Sequence, residues 1–183
     1  MTLADTYRRQ LRDLAFDQYG YVTTRDADEL DVPPVELRKL AARGGLEHVG
    51  RGVYRFEEIP KTACDEYMEA VLLVGRDAYL THDAVLALHD LGLVNPRRIR
   101  VGTPHRVRTQ LPDRVEMIRR DLDPADLTRF EGVPTTTVAR ALVDCRDLVM
   151  GERLVDAAQE AAERGLLTRR EGREILADLG ASA

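Results

Sequence analysis

Apolar positions recur at helical spacing across residues 3–18, where Leu3, Tyr7, Leu11, Leu14 and Ala15 fall on one side. That spacing predicts an amphipathic first helix. After Gly20 the pattern shortens. Thr23 or Thr24 is placed to cap a short helix with Ala27 and Leu30 inward, and Asp26 and Asp28 sit in its first turn, where the helix dipole favours negative charge. Pro33 and Pro34 stop that helix and start another, because the first turn leaves the missing proline N–H unpaired anyway. The second helix carries Leu37, Leu40 and Ala41 inward and ends at Gly44-Gly45. From Leu46 to Phe56 the pattern becomes that of a strand pair turning at Gly50-Arg51-Gly52. Helix, turn, helix and basic-tipped hairpin together predict a winged helix-turn-helix over residues 1–56, the kind of unit that lays its second helix in a DNA major groove.

Residues 57–61, with Pro60, read as a junction, and residues 62–183 as a second domain. There the spacing predicts a helix over 62–74 with Tyr67, Ala70, Val71 and Val74 on one side, then a helix capped by Thr81 with Val85, Leu88 and Leu91 inward. Three arginine-laced β-type stretches follow, at 98–103, 106–109 and 115–120. A turn starts at Asp123-Pro124, and a strand and loop run over 130–134. Helices are predicted over 136–149 and 152–164, and Thr168-x-x-Glu171 is a capping box that opens a last one. The fold class is therefore α+β: an amino-terminal winged helix-turn-helix followed by a small mixed α/β domain. No strand runs through a glycine-rich turn into a helix, so a doubly wound nucleotide fold is not expected.

Charge changes this picture locally rather than globally. The chain of 183 residues has a net charge of −5. Residues 1–56 carry nine Lys/Arg and nine Asp/Glu, residues 57–96 two and eight, residues 97–120 eight and two, and residues 121–183 eight and thirteen. Two basic stretches stand out of this background, and local patches decide whether phosphate is attracted. In the first, Arg38, Lys39, Arg43, Arg51 and Arg55 are the candidate DNA contacts, although Arg55 alternates with Tyr54 and could simply decorate the strand. The second comprises Arg97, Arg98, Arg100, Arg106 and Arg108. It reads either as a further phosphate-, RNA- or acid-binding surface or as a polar sheet face balanced by its acidic neighbours.

Other chemistry is thin. Cys64 and Cys145 form no CxxC pattern, and no apolar run is long enough to span a bilayer, so a reduced, cytoplasmic protein is expected. His82 and His89 are two turns apart, about 10 Å of rise, too far to share one metal ion. Arg140 and Asp144 are spaced to pair on one helix. With no nucleophile elbow, P-loop or acidic–lysine constellation, no catalytic residues, metal or cofactor are expected.

Four segments resemble the AbiEi family, the antitoxin half of bacterial type IV toxin–antitoxin systems. They are GYVTTRDADEL…LRKLAARGGLEHVGRGVYRF, LTHDAVLALHDLGLVNPRRIRVGTP, EGVPTTTVARALVDC, and the Leu154–Leu167 helix running into GLLTRREG. In the third, Gly132, Pro134, Thr136, Arg140 and Asp144 fall where the family pattern places them. The resemblance implies a DNA-binding amino-terminal domain that represses its own operon at inverted repeats. It also implies a carboxy-terminal domain needed to counter a nucleotidyltransferase-type toxin, without a stable complex between the two. The chain departs from the family at the start of its second helix, where Val32-Pro33-Pro34-Val35-Glu36 offers few donors to base edges. Glu36 remains as a possible acceptor from a cytosine amino group. Rival readings are a stand-alone winged-helix regulator without a toxin, and a nuclease built on the second domain.

Overall fold

A computed structural model describes residues 3–180, with side chains from residue 6 onward. Leu3, expected on the inward side of the first helix, lies outside the described side chains, as do the last three residues of the second domain. The element order is α1 (Leu3–Phe16), β1 (Tyr21–Thr23), α2 (Thr24–Glu29), α3 (Pro34–Ala42), β2 (Leu46–Gly50), β3 (Val53–Phe56) and α4 (Asp65–Val74). Then come β4 (Tyr79–Leu80), α5 (Asp83–Leu88), β5 (Ile99–Thr103), β6 (Val115–Arg119), a 3-10 turn (Pro124–Asp126), β7 (Leu127–Phe130), β8 (Val133–Thr136), α6 (Val138–Asp144), α7 (Gly151–Glu163) and α8 (Arg169–Gly180). The whole is a mixture of helices and sheets in two compact units, the first ending at Leu73 and the second beginning at Val74.

In the first unit, Leu11, Ala15, Val22, Ala27, Leu37, Leu40, Leu46 and Phe56 form one buried cluster, so Leu11, Ala15, Ala27, Leu37 and Leu40, inward by their helical spacing, meet in a single core. The three strands form an antiparallel sheet in the order β1-β3-β2. Thr23 is the cap of α2. Its hydroxyl accepts from the Asp26 amide at 3.2 Å while the Asp26 carboxylate accepts from the Thr23 amide at 2.7 Å. Two amides that the helix start leaves unpaired are thereby satisfied, an arrangement worth about 1 kcal/mol.

The helix at 62–74, expected to open the second domain, packs instead with the first unit up to Leu73. Its first turn holds Asp65 against Arg55, and one turn further Glu69 accepts from the Tyr21 hydroxyl at 2.7 Å. Burial, and then the bond to Glu69, raises the Tyr21 pKa well above its ordinary value. At the other end of α4, Leu73 covers Gly50, where an added Cβ would come within 2.3 Å of the leucine Cδ2. A larger residue there would force the Leu73 side chain to move.

The second unit is built on a five-stranded mixed sheet in the order β6-β5-β4-β8-β7. β5 and β6 are parallel, as are β4 and β8, while β4 pairs antiparallel with β5 and β7 with β8. Because β5 and β6 are parallel, the chain between them must return along their length. Residues 106–109, expected as part of a strand, lie in that crossover. Thr136 belongs to β8 rather than to the following helix, and the hydroxyl of Thr137 caps α6 by accepting from the Arg140 amide. Thr81 does not cap α5. His82 occupies that position with a φ of 55°, and the Thr81 hydroxyl lies 3.0 Å from its Nδ1. The capping box of Thr168 and Glu171 forms as expected.

Candidate nucleic-acid interface

α3 starts at Pro34, where the ring supplies a helical φ and removes a donor that has no helical partner. Its inward side is Leu37 and Leu40, both buried. The outward side carries Val35, Arg38, Lys39 and Ala42, all exposed. Arg43 follows as the C-cap with its side chain in solvent. Among the described residues neither Arg38 nor Arg43 forms an ion pair. Lys39 does, with Glu36 at 2.7 Å. That bond engages Glu36 Oε1, and the Glu36 side chain is only 15% exposed, so the acceptor considered for a cytosine amino group is partly committed.

The hairpin that follows turns at Arg51-Gly52, with a register shift between His48 and Gly50. Gly52 has a φ of +73°, and an added Cβ would meet the Thr24 hydroxyl at 2.9 Å. Its carbonyl accepts from the Thr24 amide at 2.9 Å, tying the hairpin tip to the start of α2. One residue to either side of this bond stand two exposed arginines, Arg51 on the hairpin and Arg25 on the helix. Neither forms an ion pair among the described residues. Arg25 is not among the candidates read from the sequence; only the Thr24–Gly52 contact brings it beside the hairpin tip.

Arg55 is a correction. It was placed among the candidate DNA contacts, but it is 3% exposed. Its guanidinium donates to the Asp65 carboxylate at 3.1 Å and to the carbonyls of Phe56 and Ile59 at 3.2 and 2.7 Å, and it lies over the Tyr21 ring. β3 is the middle strand of its sheet, and all four of its residues are buried, so alternation does not turn Arg55 towards solvent. A buried guanidinium with four of its five donors engaged is not available to a phosphate in solvent.

The second basic stretch divides in the same way. Arg97, Arg98, Arg106 and Arg108 are exposed and form no ion pair among the described residues. Arg100 is withdrawn from that surface: it pairs with Asp83 at 2.5 Å and with Glu116 at 3.2 Å, and its side chain is 17% exposed. Arg140 and Asp144 pair as their spacing suggests, and Arg120 joins them at 2.9 Å from the same carboxylate. Burial opposes the charge on Asp144, but the bonds to Arg140 and Arg120 outweigh it and hold the carboxyl below its usual pKa. Cys145 is fully buried, and burial pushes its thiol up to about 12, so it stays protonated and unreactive near neutrality. Among the described residues no group of three or more His, Cys, Asp or Glu side chains is placed to hold a metal ion, and no helix is long and apolar enough to cross a membrane.

Residues 9–56 match a family model described as "Transcriptional regulator, AbiEi antitoxin". The match covers α1 from Arg9, α2, α3 and the hairpin, the elements that hold Arg25, Arg38, Lys39, Arg43 and Arg51. Among solved structures the chain is similar to the RV2827C protein from Mycobacterium tuberculosis, with 20% identity over 94% of this chain and 81% of that one and a TM-score of 0.39. No curated protein matches the chain.

Proposed function

We propose that this chain is a DNA-binding transcriptional regulator of the AbiEi antitoxin type, whose first unit is a winged helix-turn-helix. The family match over residues 9–56 supports the regulator class. One observation carries the DNA contact. In a chain of net charge −5, Arg38, Arg43, Arg51 and Arg25 are all exposed and unpaired among the described residues, on α3, on the hairpin tip and at the start of the helix fixed to that tip. In this reading α3 enters the major groove with Arg38 towards the bases, while Arg51 and Arg25 hold phosphate on either side of the Thr24–Gly52 contact. Lys39 adds charge but shares it with Glu36. Arg97, Arg98, Arg106 and Arg108, exposed on the second unit, are the candidates for any further phosphate contact.

The finer role is autoregulation at inverted repeats in the protein's own upstream DNA, with the second unit supplying antitoxicity against a nucleotidyltransferase-type toxin. No enzymatic step and no cofactor enter this function.

The test is a mobility-shift titration on the upstream DNA at several salt concentrations, with the wild type and with Arg38→Ala plus Arg51→Ala. The expected result is a loss of affinity and a log–log salt slope shallower by about 0.9 for each phosphate contact removed. Unchanged affinity and slope in the double variant would sink the assignment. Co-expression with the adjacent reading frame tests the antitoxic role, since growth rescue is expected only where that frame encodes the toxin. A downstream frame without toxicity favours the stand-alone regulator.

A further inference from the structure

α3 presents an apolar side chain where a DNA-reading helix usually presents a polar one. Val35 lies on the outward stripe with Arg38 and Ala42, at the i, i+3, i+7 spacing of one helix face. It is 41% exposed. Among the described residues of the first unit, only Phe16 is another large apolar side chain left in solvent, and the Arg12 guanidinium covers its ring at 4.9 Å. Val35 faces outward beside unpaired Arg38.

The polar alternatives at this end of the helix are few. Pro33 and Pro34 have no amide hydrogens, and Pro33 makes no side-chain cap. The Glu36 amide already donates to the Pro33 carbonyl at 2.8 Å, and the Glu36 carboxylate is bound by Lys39. The outward stripe of the helix therefore begins with a partly exposed isopropyl group, and the cations that follow it on α3 call for a polyanion as its occupant. On the major-groove edge of DNA, the one apolar group is the C5 methyl of thymine.

We propose that Val35 reads a thymine methyl group in the operator, with Arg38, one turn later, on a neighbouring guanine edge or phosphate. This rests on the DNA-binding reading above and adds to it the base that the helix start selects. Specificity then comes from an apolar contact at the amino-terminal end of α3, and the Pro-Pro entry favours it by removing two of the amide donors that would otherwise stand there.

The experiment uses the full chain and its own upstream duplex, with the protected site located by footprinting and each thymine inside it replaced singly by deoxyuridine. That change removes one methyl group and leaves base pairing intact. Wild-type protein should lose about fourfold in affinity at one such position per half-site, the worth of one buried methyl group. Val35→Ala should bind the thymine duplex more weakly than wild type and lose nothing further on the deoxyuridine duplex. Its unfolding midpoint should be unchanged, because the side chain is on the surface. Indifference of the wild type to every replacement overturns the proposal, and so does a full methyl penalty retained by Val35→Ala. Both results leave DNA binding standing. Absence of any preference for upstream over unrelated DNA would instead overturn the regulator reading, and this proposal with it.

Discussion

The two basic stretches, one in each unit, look alike as strings of charge and differ in what the fold does with them. Each loses one arginine to the interior: Arg55 to Asp65 in the first unit, Arg100 to Asp83 and Glu116 in the second. In the first unit the remaining cations stand on a helix and a hairpin whose geometry presents them. Arg38 is on the outward face of α3, and Arg51 is on a tip pinned to α2 through Thr24 and Gly52. In the second unit the remaining cations flank an edge pair of parallel strands, two before β5 and two in the crossover that follows it. The difference teaches that counting arginines locates a basic region, whereas pairing and burial decide which of them are free to meet a partner.

The comparison breaks hardest at Arg55. Arg55→Ala leaves Asp65 buried without its cation, and removal of one member of a buried pair costs about 3–5 kcal/mol. Denaturant unfolding should show a large fall in midpoint, and Arg55→Met with Asp65→Leu should recover much of it. A fall no greater than that of an exposed arginine would return Arg55 to the candidate contacts. Arg100→Ala should cost less, about 2 kcal/mol, because its side chain keeps some solvent contact while its charged hydrogen bonds are lost. Thermal unfolding measures this, and a neutral result would place Arg100 back on the basic surface. The smallest effect is expected at Arg97→Ala plus Arg98→Ala, within about 0.5 kcal/mol of wild type for exposed positions without partners. A shallower salt dependence of DNA binding in that variant would make the second stretch part of the interface; an unchanged slope would leave it a solvated edge.

Much of the fold was legible because much of it is local. The Thr23–Asp26 and Thr168–Glu171 boxes, the helix start at Pro34 and the turn at Arg51-Gly52 each depend on residues within four positions of one another. Such pairings are written directly into the chain. Apart from the α5 cap, which falls on His82 and not Thr81, the elements misread were those whose partners are distant. Residues 106–109 have strand-like composition, yet they serve as the return path that parallel β5 and β6 demand. Thr136 reads as the start of a helix until β7 pairs with β8 and draws it into the sheet.

The candidate site follows the same rule. The sequence by itself determined a helix-turn-helix with a basic hairpin, the inward positions of its core, and the neighbourhood in which cations gather. Only the tertiary structure decided that Arg51 is free and Arg55, four residues on, is consumed. It also joined α4 to the first unit and set Arg25 beside the hairpin tip. The reason is that an arginine's availability is set by what faces it across space. For Arg55 that is a carboxylate ten residues further along, together with the carbonyls of Phe56 and Ile59, which no local pattern of hydrophobic and polar residues encodes.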